Sequence, residues 1–159
     1  MVDFNPRRPS GGCLRSTAPQ GARGLGVLAT AYRPQTLAEA FRDLNAGVVA
    51  PYIAFGNFLD DFYATQTTEE RERLLAVEPE PAKSSEARRW ACLFAGLADW
   101  ISFKYEFATP DWALQDSYRL SEPWFILDNW RLRPVLLFET PPPFVVRNIF
   151  CGDRMLMRV

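Results

Sequence analysis

A small, mainly helical single domain is what this sequence predicts, and three observations predict it. Helix-start signals recur along the body, at Thr36-Leu37-Ala38-Glu39, Pro51, Thr67-Thr68-Glu69-Glu70 and Ser84-Ser85. After Pro51 and after Ser85 the large apolar side chains return every three or four residues, the period of a helix with a buried face. The 159 residues, 48% hydrophobic and 14% aromatic, suffice for a core of their own and are too apolar for a chain disordered throughout.

The elements follow in order. Thr36 to Glu39 fits the capping box, the threonine hydroxyl accepting from the N3 amide and the glutamate reaching back. It predicts a helix from Leu37 to Asn45, with Gly47 just past its end. Pro51 opens the next helix, where a missing N–H costs little. On it Tyr52, Phe55, Leu59 and Phe62 stack on one face, widened by Phe58 and Tyr63, with Asn57 and Asp61 opposite. Asp60 and Asp61 are neighbours about 100° apart on a helix, so their carboxylates do not converge on one ligand and read as a solvated face. Thr67 and Glu70 form a second capping box for a helix through Leu74 and Leu75 that stops before Pro79, and Glu78-Pro79-Glu80-Pro81 is an extended polar loop. Ser84 or Ser85 caps the longest helix, Glu86 to about Phe107. Its stripe of Trp90, Phe94, Leu97, Ile101 and Tyr105 marks it as the centre of the fold. Thr109 as cap and Pro110 at the first helical position start a further element, with Asp111–Leu114 making only a turn or two. Beyond Ser117 the texture turns irregular, with one short helix expected between Trp130 and Glu139 and a proline run, Pro141 to Pro143, after it.

Charge divides the chain. Residues 1–34 hold five arginines (7, 8, 15, 23 and 33) against Asp3, a balance of +4, whereas residues 35–159 sum to −5. The first segment also carries Pro6, Pro9, Pro19 and several glycines and has few large apolar groups. It reads as a flexible, disordered basic arm ahead of a helical domain at 35–159. No apolar stretch follows Arg7-Arg8, so a cleaved signal is not expected. The longest run of low charge, Trp90 to Phe103, is interrupted by Asp99 and falls short of the ~17–25 residues of a membrane span.

Several chemistries lack their residues. There is no histidine, which removes His-based nucleophilic sites, His acid–base work and His-ligated metals together. Cys13, Cys92 and Cys151 show no CxxC spacing, and three thiols cannot all pair within one chain. Cys92 reads as a core residue and Cys151 as structural, in a reduced, cytoplasmic protein. No glycine-rich phosphate loop is present. No catalytic, metal or cofactor site is therefore assigned. An acidic enzyme built on Asp99 or Glu106 with Mg²⁺ is a class the spacing does not favour.

The C-terminal quarter carries the most distinctive pattern: Pro123-Trp124-Phe125, then Leu137-Phe138-Glu139-Thr140-Pro141, Phe144, Arg147, Ile149-Phe150 and a Leu156-x-Arg158 ending. This pattern, over about residues 50–159, resembles an uncharacterised bacterial family. Its members close with E-[ST]-P, two residues, Phe, a basic run, Ile-Phe-Val and Leu-x-Arg. Here Val145, Val146 and Cys151 depart from it. Members are often encoded beside nucleotidyltransferase-type toxins, and the resemblance implies an antitoxin-like role.

Two readings of this tail stand side by side. In one, Phe144, Ile149 and Phe150 pack on the long helix and Arg147 pairs with Glu139 or Asp153 or caps a helix. In the other, Trp124, Phe125, Phe144, Arg147 and Asn148 form a partner-binding surface, since exposed Trp, Phe and Arg anchor interfaces. Functionally the sequence favours a non-enzymatic interaction protein whose acidic body covers the basic face of a neighbouring toxin. The alternative is a nucleic-acid-binding regulator using the arginine-rich arm or Arg131, Arg133, Arg147, Arg154 and Arg158. Against this stand the acidic body and the lack of a helix-turn-helix pattern.

Overall fold

The computed structural model describes residues 33–157. Among them the chain forms six helices and one pair of short strands: α1 (Leu37–Asn45), α2 (Pro51–Ala64), α3 (Thr68–Ala76), α4 (Ser85–Lys104), β1 (Trp124–Phe125), α5 (Arg133–Glu139), α6 (Pro142–Val145) and β2 (Ile149–Phe150). Single 3-10 turns stand at Asp111–Leu114, Asp116–Tyr118, Trp130–Leu132 and Arg154–Leu156. The arm at 1–34 falls outside the described residues except for Arg33 and Pro34, as do Cys13 and Arg158. Arg33 is tied to α1, its guanidinium 2.6 Å from Glu39.

The capping hydroxyls act as expected, but the full capping box closes only at Thr36; at Thr67 the hydroxyl donates to the Glu70 carboxylate in place of the reciprocal backbone bond. The Thr36 hydroxyl accepts from the Glu39 N–H, and Glu39 accepts from the Thr36 N–H. The bond from Arg33, with help from that backbone bond, lowers the Glu39 carboxyl to about 2. Thr67 caps α3 through the Glu70 N–H, and Ser84 caps α4 through the Ala87 N–H. Helix α4 runs through the middle. It packs on α1, on α6 and on the 111–114 turn, while α1 and α2 pack on each other. Phe94 takes the edges of Phe41 and Phe55 in T-shaped contacts at 6.0 and 5.7 Å. Trp90, Phe94, Leu97 and Ile101 are all buried. At about 1.5–3 kcal/mol for each large side chain taken from water, this stripe is the main source of stability. Cys92 and Cys151 are buried as well. Burial raises both thiols, that of Cys151 to about 12.

The loop at Glu78–Pro81 is stitched into the body. Asn45 donates to Glu80 (2.6 Å) and to the Pro81 carbonyl (3.0 Å) and accepts from the Lys83 N–H (2.9 Å). The Trp112 indole donates to the Leu75 carbonyl, and the Tyr118 hydroxyl donates to Glu78.

Four expectations are corrected. Helix α4 ends at Lys104 rather than near Phe107, because Glu106 takes a left-handed conformation (φ 59°) and the Phe107 N–H turns back to the Ser102 carbonyl. That closure commonly uses glycine, so no stop was readable there. Tyr52 does not join the buried stripe of α2. It is 55% exposed, its ring edge-on to Trp90 and its hydroxyl donating to the Ile126 carbonyl. Pro110 sits at the cap of the 111–114 turn rather than inside it, and Thr109 turns toward Asp99. The segment after Ser117 contains the parallel pair of β1 and β2, with Trp124 opposite Ile149 and Phe125 opposite Phe150, where only irregular chain was expected.

Candidate interaction surface

Arg147 is the joint on which the C-terminal segment turns. It is 4% exposed, and its two terminal nitrogens donate to three acceptors: the Asp99 carboxylate of α4 (3.0 Å), the Pro143 carbonyl and the Ala113 carbonyl (2.6 Å). The expected partners, Glu139 and Asp153, are not used. A guanidinium suits this place because a planar fork serves several acceptors at once and stays charged when buried. Phe144, wholly buried, lies against Gly96 of α4, where a Cβ would stand 2.8 Å from the ring. Asn148 is half-buried in the left-handed region (φ 60°), which asparagine tolerates. Its amide donates to the Leu120 carbonyl, and its own carbonyl accepts from the Trp124 N–H (2.8 Å). Trp124 meets Trp90 edge-on at 5.5 Å. Phe125 stacks on Phe150 at 4.8 Å, with the Arg133 guanidinium 4.9 Å from its centroid.

The five side chains singled out for partner binding are thus brought together, but as an internal joint. Phe144 and Arg147 are buried and present nothing to solvent. Trp124, Phe125 and Asn148 keep only part of their surface, since pairing and stacking occupy the rest. Burial also removes Arg147 from the basic set proposed for nucleic acid. Arg131, Arg133 and Arg154 are exposed, Arg131 lying over the Trp130 ring at 5.6 Å.

Between the two strands the chain exposes a run of apolar side chains. Trp130 is 72% and Phe138 92% exposed, and Val135 and Leu137 are about half exposed. The cause is legible on α5. With 3.6 residues per turn, Pro134, Val135, Leu137 and Phe138 cover the side away from Leu136, while Arg133 and Glu139 stand about 60° either side of it. Leu136 is the one buried residue of this helix. A helix on a water-exposed surface normally covers its outer side with polar and charged groups, whereas α5 puts apolar side chains there, with Arg133 and Glu139 exposed at their edges. Trp130 and Phe138 alone offer on the order of 300 Å², taking ~150–250 Å² per aromatic side chain. That alone matches the largest apolar patch of a typical monomer, roughly 300–600 Å² and often functional. Beside α5 lies a hollow of about 390 Å³ walled by Tyr52, Ile126, Leu127, Leu132, Val135 and Met155, among others. The sequence held a signal for this: four consecutive apolar residues, Val135 to Phe138, cannot all face inward from a seven-residue helix.

The carboxylates weighed for acid chemistry are placed differently. Asp99 holds Arg147, and Glu106 serves the end of α4. Both line an open hollow of about 610 Å³ with Lys104 and Phe103. Asp61 accepts from the Gln35 N–H at 2.6 Å. Among the described residues no group of three or more acidic or cysteine side chains stands where it could hold a metal ion, and no helix is long and apolar enough to cross a membrane. Comparison with protein-family models, with curated proteins and with solved structures finds nothing that matches this chain.

Proposed function

We propose that this is a non-enzymatic interaction protein of the cytoplasm, the antitoxin-like partner of a nucleotidyltransferase-type toxin encoded beside it, and that it makes contact through the outer face of α5 and Trp130. One observation carries the reading: a helix that buries Leu136 alone and leaves Val135, Leu137 and Phe138 facing water. Trp is among the side chains that most often dominate binding energy, and Phe is enriched at interface cores. The acidic balance of residues 35–159 adds attraction to a basic nucleotide- or RNA-binding face. The C-terminal pattern that resembles the antitoxin-like family supplies the direction of the proposal.

The test is co-expression with the neighbouring gene product. The neighbour is expected to be toxic alone, to be silenced by this protein and to co-purify with it. Replacing Phe138 or Trp130 by aspartate should weaken the complex by about 30-fold or more, the loss of one interface anchor worth ~2 kcal/mol. The urea midpoint of the free protein should stay put, because both side chains face solvent. A harmless neighbour, the lack of any complex, or full affinity in both variants refutes the proposal.

A further inference from the structure

A second convergence of charged and aromatic side chains lies in the groove between the first turns of α4 and residues 119–124. Ser85, Arg88 and Arg89 stand at i, i+3 and i+4 of α4 and so share one face. The opposite wall is fixed at both ends. The Leu120 N–H donates to the Arg147 carbonyl (3.2 Å), the Asn148 amide to the Leu120 carbonyl (2.6 Å), and the Trp124 N–H to the Asn148 carbonyl. Two hollows open here, of about 240 and 300 Å³, and they share Ser85, Arg89 and Trp124.

Their chemistry differs. The smaller gathers Arg88, Arg89 and Arg119 against Glu122. The larger is walled by Tyr52, Trp90 and Trp124 with Glu86 at its side. Arg88 is braced by a bond to the Ser117 carbonyl at 3.0 Å. Arg119 is bound only loosely to Asp116, an ion pair exposed on both sides that an anion can displace. Three guanidiniums suit a phosphate group, and an aromatic wall with a carboxylate acceptor suits a planar base carrying N–H donors. Together the hollows fall within the ~300–1,000 Å³ of small-molecule sites. We propose that this groove binds a mononucleotide, with its phosphate on Arg88, Arg89 and Arg119 and its base against Tyr52 and Trp124 beside Glu86. Trp130, Val135, Leu137 and Phe138 take no part, so this site and the α5 surface stand or fall separately.

Calorimetric titration of the full chain decides it, with adenosine monophosphate and uridine monophosphate as ligands and adenosine, inorganic phosphate and a ten-residue single-stranded RNA as comparisons. The expected result is a mononucleotide Kd at or below about 1 mM, with adenosine and phosphate each at least about tenfold weaker. Arg89→Ala, at the junction of the hollows, and Arg119→Ala, on the far wall, should each weaken binding by about tenfold, with unchanged circular dichroism. Four results overturn the proposal. They are no mononucleotide binding up to about 10 mM, phosphate binding as tightly as the nucleotide, full affinity in both variants, and RNA binding more than about tenfold tighter than mononucleotide, which would mark a strand-binding groove.

Discussion

Gly96 of α4 offers the sharpest test of how the C-terminal segment is seated. Glycine in a helix interior costs about 1 kcal/mol relative to alanine, so by propensity alone Gly96→Ala should stabilise α4. The structure reverses the sign. An added Cβ would stand 2.8, 3.0 and 3.4 Å from three carbons of the Phe144 ring. Contacts below 3 Å demand movement, and this ring has no exposed surface through which to move. Overpacking of this kind costs typically ~1–3 kcal/mol, which exceeds the propensity gain over most of that range. Gly96→Ala should therefore lose roughly 0–2 kcal/mol net instead of gaining about 1 kcal/mol.

A double-mutant cycle isolates the contact. Phe144→Ala removes all three ring carbons that the new methyl would strike. It costs stability on its own, but against it Gly96→Ala should be neutral or stabilising, leaving a coupling energy of about 1–3 kcal/mol between the two sites. Urea unfolding followed by tryptophan fluorescence and by helical circular dichroism measures all four proteins. A Gly96→Ala protein more stable than the parent by the full propensity gain, or additivity with Phe144→Ala, would refute the close seating of α6 on α4.

Two further outcomes follow from buried or shifted charges. Arg147→Ala should cost about 3–5 kcal/mol, the range for breaking a buried ion pair, and Arg147→Lys nearly as much, since one ammonium cannot reach Asp99, Ala113 and Pro143 together. A lysine variant within about 1 kcal/mol of the parent by urea unfolding would contradict the three-acceptor role. Glu39 is depressed from 4.5 to about 2 in the folded chain, so its contribution is present above the unfolded value and is lost as pH falls from about 4.5 toward 2. Glu39→Gln should thus lower stability at pH 7 by roughly 0.5–1 kcal/mol, and unfolding midpoints should show the gap to the parent closing toward pH 2.

The helical body was legible because its signals are local. A capping hydroxyl three residues before its amide, a proline at a first turn and an apolar repeat all lie within one or two turns, and α1 and α2 appear where those signals place them. The end of α4 was not legible because Glu106 adopts a conformation that sequence associates with glycine. Nor were the two strands, because each is two residues long and pairs across a long sequence separation. The tail residues Trp124, Phe125, Phe144, Arg147 and Asn148 meet in space, but local pattern could not tell which of them would be drawn inward. That depended on a gap at Gly96 and a carboxylate at Asp99, both in a helix far upstream.

The C-terminal pattern makes sense as a device for holding α5 rather than burying it. Parallel strands need a crossover between them, and the crossover from β1 to β2 has two unlike halves. The second half is driven into the body, with Phe144 on Gly96 and Arg147 on Asp99. The first half, Trp130 to Glu139, buries Leu136 and leaves its other apolar groups outside. Between them Thr140 is buried, its hydroxyl donating to the Leu136 carbonyl and accepting from the Cys151 and Gly152 N–H groups, both at 3.1 Å. A hydroxyl both donates and accepts here, which a valine of the same shape could not do. A seven-residue helix is marginal by itself in water, so α5 persists because its ends are pinned. Pinning removes the ordering cost that association would otherwise carry, and an apolar face that is fixed in place yet unburied is the arrangement that gains most when a partner covers it.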